Sequence, residues 1–152
     1  MWKAERQSTA SIFLHDAGII IKQGAYQMEI QAHVLQNMAS LGFLAANQGR
    51  LDKAEQIFQG LAAIRPEEEA VLLGLAYIRL NMGAFGEAAD ILQNKAMTLY
   101  PDNEIIACFG GLALHRDGKA DAGRDLLHRV SKTGKDPLVV NLATNLLAEL
   151  EG

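Results

Sequence analysis

The sequence predicts an all-α solenoid of stacked helix pairs, and three observations lead there. The segment from Leu41 to Pro66 repeats 34 residues later: Leu41 maps onto Leu75, Phe43 onto Tyr77, Gly49 onto Gly83, Ala54 onto Ala88, Ile57 onto Ile91 and Ala62 onto Ala96. A weaker third copy follows at an offset of 35, with Gly118 after Gly83, Gly111 after Ala76 and Leu127 after Leu92. A period of this length fits a two-helix unit that buries its apolar face by stacking on its neighbours. Apolar residues also recur at three- and four-residue steps, as in Leu51, Ala54, Ile57, Phe58 and Leu61, the spacing of one helix face. Finally, no run alternates convincingly like a strand, and β-branched residues are sparse.

Residues 1–34 read as an N-terminal helical segment of one or two helices, with interruptions at Gly18 and Gly24. Three helix pairs follow, 35–48 with 51–64, 68–82 with 85–98, and 104–116 with 119–132. They define repeats 35–67, 68–102 and 103–136 within a repeat region 35–136. Gly49, Gly83 and Gly118 fall between the helices of each pair, where a helix C-terminus takes a left-handed residue. Pro66, Pro101 and Pro137 each stand just before a new apolar run, where proline ends one helix and opens the next. Residues 137–152 form a capping helix, with Leu138, Leu142, Leu146 and Leu150 as its apolar face and Asn141, Asn145 and Glu149 elsewhere. Gly110, Gly111 and Gly123 gather in the third unit. Each glycine costs a helix about 1 kcal/mol against alanine, so this unit is expected to be the most easily deformed.

Composition narrows the function. At 152 residues the chain has the length of one domain, and 49% apolar against 21% charged residues is ample for a core. A net charge of −4 and a pI near 5.5 argue against a nucleic-acid partner. The apolar run Ile12 to Ile21 is broken by His15 and Asp16, so no membrane span is expected. That break and the lack of a small-residue cleavage motif argue against a signal peptide. A single cysteine, Cys108, excludes an internal disulfide. These features point to a cytoplasmic protein.

The pattern resembles the tetratricopeptide repeat. Its packing positions are readable in the first unit as Leu41, Gly42, Ala54, Phe58 and Pro66, and in the second as Leu75, Ala76, Tyr77, Gly83, Ala88, Leu92 and, after one extra residue, Pro101. The third unit departs, with Gly110 and Gly111 for the Leu-Gly pair and Gly123 for the alanine. The layout is similar to that of the small chaperones of bacterial type III secretion. Phe58-Gln59-Gly60-Leu61, Leu73-Gly74-Leu75-Ala76 and Met82-Gly83-Ala84-Phe85 are similar to the translocator chaperones. Leu99-Tyr100-Pro101-Asp102 with Glu104, Leu127 with Arg129, and Asp136-Pro137 look like the needle-subunit co-chaperone. Where the translocator class carries aromatics along its first inner face, this chain has Ala39 and Ala46 beside Phe43. That difference shifts weight toward the needle class and its amphipathic-helix ligand, with the choice between the two left open.

In a two-helix solenoid the first helix of each pair lines the inner face. The offsets place Ala39, Phe43, Ala46 and Asn47 there from unit one, Leu73, Tyr77, Leu80 and Asn81 from unit two, and Cys108, Leu112 and His115 from unit three. This face suits a partner's amphipathic helix or apolar segment. Asn47, Asn81 and Arg116 occupy the inner ends of the first helices without a lysine, which argues against the clamp that some repeats of the family use for acidic C-terminal peptides. The two asparagines serve either a partner backbone or, the preferred reading, a local cap. Some inner-face residues also have the alternative of simply packing against the neighbouring repeat.

Nothing in the sequence points to catalysis, a metal or a cofactor. His15, His33, His115 and His128 lack metal-ligand spacing. His15 and Asp16 are adjacent and diverge on a helix. Cys108 lies in an apolar run, where a packed thiol is expected. Gly110-Gly111 follows no strand and precedes no lysine-serine pair, and Glu67-Glu68-Glu69 opens a helix, where acidic charge suits the dipole. A non-enzymatic binding module is therefore expected. The alternative is a scaffold or homodimer built through the N-terminal helices, using Ile12, Phe13, Ile19, Ile20 and Ile21.

Overall fold

The structure, a computed structural model, describes residues 24, 25, 27–29 and 31–152. Two compact units are distinguished, residues 1–37 and 38–152. In the first, every described residue is helical and nearly all are exposed; Gly24, expected as a break, is helical too. Ile12, Phe13, His15, Gly18, Ile19, Ile20 and Ile21 lie outside the described residues.

The second unit contains helices only among its described residues. Residues 38–47 form α1, followed by α2 (Leu51–Ile64), α3 (Glu69–Asn81), α5 (Glu104–Arg116), α6 (Ala120–Thr133) and α7 (Pro137–Glu151). Between α3 and α5, the stretches Phe85–Asp90, Ile91–Ala96 and Met97–Leu99 run on as one helix, α4. Gly49, Gly83 and Gly118 have φ of 77°, 77° and 87°, the left-handed geometry that ends the first helix of each pair. Asn103 and Asp136 cap α5 and α7, accepting from Ile106 N at 3.0 Å and Leu138 N at 2.9 Å.

The period lengthens from 34 to 35 in α4. The stretch Ile91–Ala96 is π-helical, and a π turn takes up one inserted residue without ending the helix. Leu92 and Ala96 stay fully buried through it, so the insertion leaves the core face in register.

Packing of the first two repeats turns on Phe58, which is fully buried. A Cβ built at Gly42 would come within 2.6 Å of its ring, and one at Gly74 within 2.1 Å. These glycines are the seats of the ring. Arg79 ties the same helices at their surface, reaching Glu55 of α2 and Glu87 of α4, each at 2.8 Å.

The third repeat contradicts the expectation of a loose end. A Cβ at Gly123 would lie 2.5 Å from the Gly111 carbonyl, and one at Gly111 would lie 2.9 Å from the Gly123 carbonyl. Small residues here let the α5 and α6 backbones approach closely, so their low helix propensity is offset by packing. The continuous core runs through Leu72, Leu92, Ile106, Leu127 and Val139. The capping helix also differs from expectation. Val139, Ala143 and Leu147 form its buried line, Leu142, Leu146 and Leu150 flank it, and Leu138 is 78% exposed. The buried line thus sits one residue further along than the expected stripe.

Candidate partner-binding groove

The inner face of α1, α3 and α5 carries an aromatic run across all three repeats. Phe43 and Tyr77 have ring centroids 6.1 Å apart, as do Tyr77 and Phe109, both pairs edge-to-face. Phe43 also meets Phe58 edge-on at 5.0 Å, so its ring joins the groove to the seat of Phe58. Edge-to-face pairs hold ring orientation beyond simple area burial.

Tyr77 is fixed at its hydroxyl as well. Its O–H donates to Asn47 Oδ1 at 2.7 Å, spanning two repeats. Asn81 Nδ2 donates to the Tyr77 carbonyl at 2.8 Å, one turn back in the same helix. Of the two asparagines at equivalent positions, Asn81 thus makes the expected local bond, whereas Asn47 links repeats. Beside Tyr77 the groove opens into a pocket of about 430 Å³, lined by Tyr77, Leu80 and Asn81 from α3, Phe85 from α4, and Phe109, Leu112 and Arg116 from α5.

The pocket gathers Tyr77, Leu80, Asn81 and Leu112 of the residues expected on this face, and Phe43 and Asn47 adjoin it through Tyr77. Others lie elsewhere. Ala39 and Ala46 are buried, because small side chains on α1 are covered where the helices stack. Leu73 is half-buried against the main core. Cys108 is fully buried, with Sγ 3.8 Å from the Val139 carbonyl, so it faces the capping helix. His115 is half-buried, and its backbone N would lie 2.7 Å from a Cβ at Gly123, which places it at the α5–α6 crossing.

Equal spacing assigns α5 the stripe Cys108, Leu112 and His115 with Arg116 at its inner end; the groove keeps Leu112 and Arg116 and takes Phe109 in place of Cys108 and His115. Phe109 and Phe85 were missed at the sequence level; an aromatic in each first helix, Phe43, Tyr77 and Phe109, was the available signal.

The arrangement can bind but has little reactive chemistry. Burial, aided by the charge of Glu104, pushes the Cys108 thiol up to about 11, leaving scarcely any thiolate near neutral pH. Among the described residues no three histidine, cysteine or acidic side chains group to hold a metal. Nor is any described helix long and apolar enough to cross a membrane.

Residues 45–94 match the tetratricopeptide repeat model. Among curated proteins, the chain is 26% identical over 119 residues to the Protein CTR9 homolog of Arabidopsis thaliana, covering 78% of this chain. It spans only 11% of that relative's length. Among solved structures, it superposes on SycD, the type III secretion translocator chaperone of Yersinia enterocolitica, with a TM-score of 0.69 at 21% identity, covering 84% of this chain and 95% of that one. It also superposes on PcrH of Pseudomonas aeruginosa in complex with the chaperone binding region of PopD, with a TM-score of 0.65 at 21% identity, covering 78% and 89%. The chain is thus an all-α tetratricopeptide-type solenoid whose fold resembles that of type III secretion translocator chaperones.

Proposed function

We propose that this chain is a cytoplasmic chaperone of type III secretion, holding an apolar or amphipathic segment of a secreted subunit along the inner face of α1, α3 and α5. The observation that carries the reading is the open apolar pocket between α3 and α5, continuous with an aromatic run fixed from behind. A segment that self-associates through its apolar side would be covered there, each buried anchor contributing about 1.5–3 kcal/mol. The fold it shares with PcrH, solved with the chaperone binding region of PopD, favours a translocator as cargo. The scarcity of aromatics on α1 favours a needle-type subunit. Purification from the native host followed by mass spectrometry decides: a small helical secreted protein is expected to co-purify. Its absence, or its retention by a Leu80→Glu, Leu112→Glu double variant of unchanged helicity, overturns the reading.

A second reading rests on α1, where Met38, Leu41 and Leu44 are 37%, 53% and 52% exposed. An apolar helix face of this kind suits a homodimer, and an alternative dimer of SycD is among the solved structures of like fold. Light scattering on the purified protein separates the two. A tight dimer whose mass is independent of concentration favours pairing of copies, and a monomer that aggregates without cargo favours the chaperone.

A further inference from the structure

We propose that the pocket between α3 and α5 selects a helical segment bearing a large apolar side chain and, one turn away from it, a carboxylate that pairs with Arg116. This rests on the groove reading above and names the chemistry of its occupant. Leu80, Phe85, Phe109 and Leu112 give the pocket apolar walls, and its only charged lining residue is Arg116. Arg79 and Arg124 are each held by acidic partners, but Arg116 has no ion-pair partner among the described residues. The acid next to it in sequence, Asp117, is turned elsewhere. Its carboxylate sits 3.8 Å from Lys119 Nζ, and a Cβ at Gly86 would lie 3.1 Å from its Oδ1.

Spacing supplies the register. Leu112 and Arg116 are four residues apart on α5, neighbours on one face about 6 Å apart. A partner helix lying along α5 with an anchor against Leu112 brings its next turn opposite the guanidinium, whose planar fork matches a carboxylate. This recognition of one side-chain carboxylate differs from a clamp on a peptide terminus, which needs more than one cation. The chain's net charge of −4 repels acidic segments elsewhere, so Arg116 also fixes where such a segment docks.

The test uses short, capped, fluorescein-labelled helical peptides with a leucine stripe. They carry glutamate one turn before or one turn after the central leucine, and lysine counterparts match each. Anisotropy titrations are run on the full chain, on Arg116→Glu and on Leu112→Ser. One glutamate placement is expected to bind about two- to fivefold tighter than its lysine counterpart at low salt, as for a solvent-accessible ion pair. The preference should fade at about 1 M salt and reverse in Arg116→Glu. Peptides that bind regardless of charge, or a preference that survives Arg116→Glu, overturn the carboxylate proposal and leave the apolar groove standing. If no peptide binds, or Leu112→Ser binds all of them as the parent does, the groove reading falls and the carboxylate proposal falls with it.

Discussion

Phe58 shows how single residues set the spacing of this fold. Its ring occupies the space that side chains at Gly42 and Gly74 would need, so Gly74→Ala overpacks the helix interface, where such changes cost about 1–3 kcal/mol. Gly60 lies in α2 with nothing within 4 Å of its Cβ position, so Gly60→Ala gains about 0.5–1 kcal/mol from helix propensity alone. Urea titrations of the two variants should therefore shift the midpoint in opposite directions. Cys108 gives a second residue-level expectation. Its folded thiol is raised from 9.0 to about 11, first by burial and then by Glu104. The unfolded chain loses this proton first, so the thiol's contribution is intact below pH 9 and is lost as pH rises through 11. A rise of that size corresponds to about 3 kcal/mol. Cys108→Ala should flatten that alkaline decline in unfolding free energy, while leaving a small cavity that lowers stability equally at neutral and alkaline pH. A decline of unchanged slope in the variant assigns it to other groups.

At the scale of elements, the repeat period specified much of the helix plan, because turn glycines and prolines act locally. The left-handed Gly49, Gly83 and Gly118 fall where the offsets place them. What the period could not carry is which side of a helix its neighbours cover. That depends on non-local packing, here of the capping helix, whose Val139 carbonyl meets Cys108 while Phe109 lines the groove. The same limit applies to α7, where the leucines at four-residue steps flank the face on which Val139, Ala143 and Leu147 meet the core. Glycines invisible as contacts in a sequence read as weakness, yet at Gly123 the backbone of His115 leaves no room for anything larger. Gly123→Ala should push α5 and α6 apart and lower stability by about 1–3 kcal/mol. Near-ultraviolet circular dichroism should register the change through Phe109 and Tyr77, and an unaltered aromatic spectrum with unchanged stability would show that the crossing is not tight.

Across residues 38–152, burial is uneven in a direction opposite to the one suggested by glycine content. Every residue from Ile106 to Cys108 is buried, as are Gly110, Gly111, Ala113 and Leu114, so α5 is enclosed by α4, α6 and α7. By contrast α1 keeps Met38, Leu41 and Leu44 in solvent and buries mainly Ala39, Gly42 and Ala46. Local opening is governed by how many buried contacts a segment must break. Native-state hydrogen exchange should therefore be slowest in α5 and the inner turns of α6, and fastest in α1, with α3 between them. The gradient bears on the proposed function, since cargo docked on the inner face would touch elements of unequal firmness. The pocket edge at Leu112 is preorganised by the enclosed helix, while Phe43 rides on the softer one. Adding cargo should then leave α5 exchange almost unchanged and slow α1 markedly, because ordering energy is taken up where local stability is lowest. Slowing confined to α5 would place the binding free energy in the rigid half of the groove and remove α1 from the recognition surface, and equal slowing in both helices would show that ordering is not concentrated where local stability is lowest.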